Sequence, residues 1–182
     1  MGKRLICCSI MQNELERLCK DKNVEINYID AALHVNPDKL AAALETAMAE
    51  SDGNDVLVIG NKCHPDMEKI VAGRGRVIAA DNCIEMILGE EMVRLNNEAR
   101  TFYMTVGWLE NWQSIFIEGL KWDIVDARQN FGYYDRILLI DTGLFPIDEE
   151  KVLQFFDYAG VPVEIMTADL SNIQLLLEKL VS

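Results

Sequence analysis

The sequence predicts an α/β protein of the Rossmann-like class: a single domain with an open, mostly parallel sheet and helices on both faces. Short continuous apolar runs alternate with longer segments of helical spacing along the whole chain. Strands that are apolar throughout are typical of parallel sheets covered by helices. No linker or low-complexity segment divides the 182 residues, and about half of them are hydrophobic. We therefore predict one domain over residues 1–182.

The first half of the chain contains four predicted strands, each a short apolar run. The clearest helix starts at Asn36, a favoured N-cap residue, and has Pro37 at its first helical position. The strands are predicted at 4–10, 24–30, 55–60 and 76–80, and the helices between them at 12–21, 36–51 and 64–73.

The second half continues the alternation. Its helices are predicted at 82–99, 109–122, 148–160 and 170–182, and its strands at 100–108, 136–141 and 161–168. Gly160 provides a stop for the third of these helices. Residues 123–135 receive no assignment.

Charge and cysteine usage narrow the function classes. The chain has 17 basic and 30 acidic residues, a formal net charge of −13, which disfavours nucleic acid and membrane surfaces as partners. No run approaches the roughly 18 apolar residues of a membrane span, and the first residues lack a leader pattern. The protein is therefore expected to be cytoplasmic, where its five cysteines would stay reduced.

Reactive side chains follow several of the predicted strands. In open α/β sheets, sites form at the carboxyl ends of strands, and parallel neighbours lie about 4.8 Å apart. Residues from adjacent strand ends can therefore converge on one centre. The residues concerned are Cys8 after the first strand, Cys63 and His64 after the third, Asp81 and Cys83 after the fourth, and Asp141 after the strand at 136–141.

Metal binding is the sharpest interpretation of these strand ends. Thiolates and a histidine suit zinc or an iron–sulfur cluster, so Cys8, Cys63, Cys83 and His64 are the candidate ligands. Helix N-termini after the strands are expected to lower the pKa of the thiols. The alternative is that the cysteines fill the core as small hydrophobes.

Two carboxylates and two further cysteines are also considered as candidate site residues. Asp81 and Asp141 are candidate catalytic residues that would orient ligands or move protons. Cys7 lies inside an apolar run and Cys19 on the apolar face of a helix, so both are predicted to be structural.

His34 and Trp108 are candidate cofactor-binding residues. His34 follows the second strand and would serve as the lower ligand of a corrinoid or as a general base, unless it only caps the following helix. Trp108 would form an aromatic wall over a planar cofactor. Its spacing of four residues from Trp112 is equally compatible with a core position. No nucleotide-binding glycine motif follows a predicted strand.

Several segments, in order, resemble one family, the domain-of-unknown-function 1638 proteins of methanogenic archaea and anaerobic bacteria. These segments are CSIMQNEL, LHVNPDKL, GNKC, DNCIEMILG, VGWLE and LLIDTGL. Members are often encoded near corrinoid-dependent methyltransferase systems, so the resemblance implies corrinoid, metal or methyl-transfer chemistry. Its recurring polar positions correspond to Cys8, His34, Cys63 and Cys83.

The sequence departs from the family pattern at two of these segments. Asp81 and Asn82 stand where relatives have a histidine–aspartate pair, and His64 stands where they have a glycine. His64 is therefore a candidate substitute for the missing histidine.

Three hypotheses follow. The first is a metal- or metallocofactor-binding protein of anaerobic one-carbon metabolism. It would act either as an enzyme or as an accessory to a corrinoid protein or methyltransferase. The bound group would be zinc, an iron–sulfur cluster or a corrinoid. The second is a metal-free enzyme with one reactive thiolate, which predicts a single fast-alkylating cysteine. The third is an interaction module whose acidic surface binds a basic partner.

Overall fold

In the computed structural model, which describes residues 3–51 and 53–181, seven parallel strands form two sheets. The α/β class with parallel strands flanked by helices is confirmed, but the expected sheet is divided in two. The first sheet has the order β2-β1-β3-β4 and the second the order β5-β6-β7. The strands are β1 (Lys3–Cys8), β2 (Val24–Ile29), β3 (Asp55–Val58), β4 (Gly75–Val77), β5 (Thr101–Thr105), β6 (Arg136–Asp141) and β7 (Val163–Thr167).

Helices connect the strands, as parallel pairing requires. They are α1 (Gln12–Cys19), α2 (Pro37–Ala47), α3 (Met67–Val71), α4 (Cys83–Leu88), α5 (Glu91–Glu98), α6 (Val106–Trp112), α7 (Ile124–Phe131), α8 (Glu149–Ala159) and α9 (Ser171–Val181). Short 3-10 helices cover Ser9–Met11 and Ala31–Val35, and a π-helical segment covers Gln113–Gly119. None of these helices combines the length and apolarity needed to cross a membrane.

Local chemistry explains where most helices begin. The Asn36 side chain accepts the Lys39 N–H at 3.1 Å, which confirms the predicted N-cap of α2. The helix predicted at 82–99 is interrupted at Gly89, whose φ of 53° favours glycine. The helix predicted at 170–182 is observed as α9, and its last predicted residue, Ser182, lies outside the described residues, as do Met1 and Gly2.

One assignment from the sequence is wrong and one helix is left unassigned, each for an identifiable reason. The strand predicted at 100–108 ends at Thr105, because the Thr105 hydroxyl accepts the Trp108 N–H and starts α6. The unassigned segment contains α7, which begins with a reciprocal capping box between Asp123 and Asp126. That acidic pair was a recognisable signal for a helix start.

The central strands are buried on both faces. The four residues of β3 and the segment 137–140 of β6 are all buried. The one carboxylate within β3, Asp55, is paired with Arg4 on β1, whose Nε lies 3.1 Å from Asp55 Oδ1. The pair satisfies a buried charge that would otherwise destabilise the sheet.

The two sheets meet around α1 and α6. Gly107 of α6 lies directly against the backbone of Ile10, so closely that a Cβ there would overlap the Ile10 carbonyl oxygen. The hydroxyl of Thr142, just past β6, donates to Glu14 Oε1 of α1 at 2.9 Å. These contacts fix the second sheet against the carboxyl end of β1.

Gly107→Ala is expected to lower the free energy of unfolding by about 3 kcal/mol, because the neighbour is backbone and cannot rotate away. Chemical denaturation measures the change. Gly73→Ala is the matched control: apart from its chain neighbours, its Cβ would meet no atom of the described residues within 4 Å, so only the penalty of its φ of 74° applies, about 1 kcal/mol. Equal losses in the two variants would contradict the close approach at Gly107.

The buried carboxyl of Glu14 makes stability depend on pH. Its side chain is 3% exposed, Oε2 has no hydrogen-bond partner among the described residues, and burial raises the pKa of the carboxyl. The folded state therefore holds the proton more tightly than the unfolded state. This contribution to stability is complete below about pH 4.3 and is lost as pH rises through the raised pKa.

Glu14→Gln is expected to flatten this pH dependence, because the amide does not ionise. The free energy of unfolding, measured from about pH 4 to 8, should fall less steeply in the variant than in the wild type. Glu16→Gln, an exposed change on the same helix, should leave the profile unaltered. A Glu14→Gln profile parallel to that of the wild type would contradict the assignment.

Candidate thiol-lined site

The candidate site lies at the carboxyl ends of β1 and β3, the two central strands of the first sheet, whose following connections run to opposite sides of the sheet. β1 pairs with β2 on one side and with β3 on the other, so Cys7 is in register with both Tyr28 and Val58. The connections after β1 and β3 therefore leave in opposite directions and open a crevice at the carboxyl ends of these strands. In open α/β sheets this switch point is the usual place for a ligand.

A cavity of about 200 Å³ occupies this crevice. Three thiols, one imidazole and one indole contribute to its wall, and the remainder is aliphatic residues, a glycine, a methionine and an asparagine. The lining residues are Cys8, Ile10, His34, Val58, Ile59, Gly60, Cys63, Asn82, Cys83, Met86 and Trp108. Five of the residues selected from the sequence (Cys8, His34, Cys63, Cys83 and Trp108) thus meet at one place.

Each thiol is positioned by a different strand end. Cys8 is the last residue of β1, and Cys83 is the first of α4. Cys63 lies in the turn after β3, where its N–H donates to the Gly60 carbonyl at 3.0 Å. Asn82 caps α4 by accepting the Glu85 N–H at 3.0 Å, which fixes the orientation of the Cys83 backbone.

Gly60 allows the two loops that carry Cys63 and Cys83 to touch. A Cβ at Gly60 would overlap the Asp81 carbonyl oxygen and the Asn82 Cα. Only glycine permits this approach, so Gly60 is a site residue that the sequence interpretation missed. Its position directly after a buried strand was the available signal.

His34 approaches from the 3-10 helix that follows β2. Its Nδ1 lies 3.2 Å from the Ala31 carbonyl oxygen and 3.8 Å from Cys8 Sγ. Only a protonated Nδ1 can donate to a carbonyl, so we assign the proton there and leave Nε2 as the acceptor. Burial lowers the pKa of His34, and this imidazole is therefore neutral at pH 7.

Trp108 comes from the second half of the chain and completes the wall. Its indole lowers the pKa of the Cys83 thiol, as a hydrogen-bond donor does, and its ring stacks on Phe116 with centroids 6.0 Å apart. Phe116 belongs to the π-helical segment, which packs against the 3-10 helix that carries His34. The second half of the chain thus contacts both Cys83 and the His34 segment.

Burial dominates the electrostatics of the three thiols. It raises the pKa of Cys8 and Cys63, and raises that of Cys83 to about 11. The thiols also raise one another's pKa, because neighbouring thiolates repel. The N-terminus of α4 lowers the pKa of Cys83, as expected, but desolvation outweighs this effect, so the net shift of the pKa is upward.

Nevertheless, each sulfur has a hydrogen-bond donor that favours its thiolate. The Ile10 N–H acts on Cys8, the Gly60 N–H on Cys63, and the Trp108 indole together with the α4 N-terminus on Cys83. These donors lower the thiol pKa values, although less than burial raises them. The thiols are neutral in isolation, but their surroundings are arranged to accept negative charge if a compensating cation is present.

Three candidate residues lie elsewhere, none of them among those lining the cavity. His64 is buried in the turn before α3, where its Nδ1 accepts the Asp66 N–H at 3.0 Å. The Asp81 carboxylate pairs with Lys62 at 2.5 Å, and Asp141 Oδ1 accepts the Gly143 N–H at 2.8 Å in a turn of the second sheet.

The side chains of the cavity are not arranged around a preformed metal position. Within residues 3–51 and 53–181, no three His, Cys, Asp or Glu side chains stand in the arrangement of a metal site. Ligation by the cavity thiols would therefore require their side chains to rotate. The other two thiols, Cys7 and Cys19, are buried in the core, as predicted.

The fold and cavity define an α/β protein with a thiol-lined crevice at a switch point between parallel strands. The model of a protein family described as "Protein of unknown function (DUF1638)" matches residues 28–177. The chain belongs to this family, in agreement with the resemblance in its sequence. No curated protein matches the chain.

Trp108→Phe is expected to raise the pKa of the Cys83 thiol, because it removes the indole donor and keeps the ring. Alkylation of Cys83 at fixed pH, followed by peptide mass mapping, should become about tenfold slower. Trp112→Phe is the control, since Trp112 packs in the core against Phe155 and Tyr158. An unchanged or faster reaction of Cys83 in Trp108→Phe would contradict the proposed hydrogen bond.

Proposed function

We propose that this protein binds a thiophilic metal ion or small metal cluster in the cavity, with Cys8, Cys63 and Cys83 as ligands. One observation carries the proposal: three strand ends each bring a thiol to the same crevice of about 200 Å³. Cysteine ligands in proteins select zinc, copper(I) and iron–sulfur clusters. His34, with Nε2 as its acceptor, is the candidate fourth ligand.

The hydrogen bonds around the candidate ligands support this assignment. Histidines that bind metals commonly donate their other ring N–H to a backbone carbonyl, as His34 does to Ala31. The N–H donors on the three sulfurs would stabilise thiolates. His64 makes a turn contact instead, so we propose His34 in its place as the imidazole of the site.

The size of the cavity favours an ion or small cluster among the candidate groups. A cavity of about 150 Å³ holds one benzene molecule, whereas a corrinoid macrocycle is far larger. The corrinoid connection implied by the family resemblance would then concern a partner. The protein would serve anaerobic one-carbon metabolism as an enzyme, or as an accessory to a corrinoid protein or methyltransferase, in the reducing cytoplasm.

The chemistry that the chain contributes follows from the thiol pKa values. A bound cation would supply positive charge and act as a Lewis acid. The three thiols would release protons on binding, so affinity would rise with pH. Trp108 would hold Cys83 and exclude water from one side of the site.

The raised pKa values of the cysteine thiols argue against a metal-free enzyme with a reactive thiolate. The thiolate is the nucleophilic form, and burial raises the pKa of all five cysteines in the described structure. We therefore expect slow alkylation of each of them at pH 7.

Metal content provides the direct test. Protein purified without oxygen is expected to contain stoichiometric zinc, iron or copper, measured by elemental analysis and absorption spectroscopy. Cys63→Ser should lower the affinity for that metal by more than about 100-fold, because even the loss of a residue that hydrogen-bonds to a ligand lowers it about 10- to 100-fold.

Cys19→Ala is the matched control, since this thiol is buried on α1 and does not line the cavity. It should retain the metal content of the wild type. A wild-type protein that stays free of metal after incubation with zinc, iron and copper under reducing conditions would refute the proposal. Equal metal loss in Cys63→Ser and Cys19→Ala would point to general destabilisation instead.

A further inference from the structure

The cavity wall carries no fixed charge. None of the residues that line the cavity is Asp, Glu, Lys or Arg, and most of the exposed wall is apolar. His34 contributes an imidazole whose Nδ1 donates to the Ala31 carbonyl. The charge of anything bound here must therefore be balanced by the ligand and the three thiols alone.

Charge balance discriminates between bound species. A divalent ion held by three thiolates leaves one uncompensated negative charge in a largely apolar enclosure, which costs more free energy than a neutral complex of the same thiols. A trivalent centre held by three thiolates is neutral. The wall therefore favours a trivalent thiophilic centre.

We propose that the cavity captures trivalent arsenic or antimony, presented as the neutral hydroxide, through Cys8, Cys63 and Cys83. This inference rests on the proposed function in one respect, that the three thiols act on one centre. It adds the class of species bound.

The binding step is balanced without any further reactant. Each of the three arsenic–oxygen bonds of arsenous acid is replaced by an arsenic–sulfur bond. Each thiol proton leaves with a hydroxyl group as water, so three waters form and arsenic stays trivalent. Reactants and products are all uncharged, so the net reaction releases no proton.

The surroundings of the thiols suit such a complex. Trivalent arsenic keeps a lone pair and needs no fourth ligand, so apolar neighbours such as Ile10, Val58 and Met86 can fill the remaining wall.

Native mass spectrometry of the full chain with sodium arsenite tests the stoichiometry. The expected adduct is one arsenic less three hydrogens. In Cys63→Ser and in Cys83→Ser, any adduct should retain one hydroxyl group and form with more than about 100-fold lower affinity. Cys19→Ala should match the wild type, and circular dichroism checks that each variant is folded.

The pH dependence separates this inference from the broader proposal. Between about pH 6 and 8 the affinity for arsenite is expected to be nearly constant, because no net proton is released. The affinity for zinc should rise steeply over the same range, because thiols must deprotonate.

Zinc binding that depends on Cys63, together with no arsenite binding, would overturn the arsenic inference and leave the proposed function standing. A wild-type adduct that retains a hydroxyl group would likewise overturn the arsenic inference. An adduct unaffected by loss of Cys63 or Cys83 would also overturn it. Failure of both ligands to bind would remove both proposals.

Discussion

The position of β1 between β2 and β3 is the constraint on which the candidate site depends. Because the chain leaves β1 towards one side and β3 towards the other, their carboxyl ends are adjacent but uncovered. Cys8 ends one of these strands and Cys63 follows the other. Gly60 then lets the loop after β4 approach, which brings Cys83 to the same crevice.

Two opposing electrostatic effects meet at the thiols. Burial and mutual repulsion keep the sulfurs protonated, while backbone N–H groups and the Trp108 indole favour the thiolates. Burial prevails in the absence of a ligand. Such a balance suits a site that is inert alone and changes protonation or bonding when a thiophilic species arrives, which distinguishes it from a nucleophilic cysteine site.

The second sheet takes part in the site through packing. α6 brings Trp108 to Cys83, and the close contact of Gly107 with Ile10 fixes that helix against the end of β1. The π-helical segment continues α6 and contacts the His34 segment. π-Helical insertions often occur at functional sites, because they re-aim side chains within a helix. The second half of the chain therefore shapes a site whose thiols all belong to the first half.

Much of the fold could be predicted from the sequence, because strand and helix signals are local. Buried strands are continuous apolar runs, Asn36 and Pro37 mark the start of α2, and the thiols were recognised by their position after strands. Local signals also explain the errors: Thr105 caps a helix inside a predicted strand, and the capping box of α7 was overlooked.

The selection among site residues was decided by tertiary structure alone. Cys63 and His64 are neighbours in sequence, yet only Cys63 lines the cavity, since His64 turns away to accept the Asp66 N–H. Asp81 and Asp141 also follow strands but lie outside it. The sequence by itself determined which chemical groups stand at strand ends. Strand order, the division into two sheets and burial determined which of them meet and how they ionise, because these depend on contacts between residues far apart in the chain.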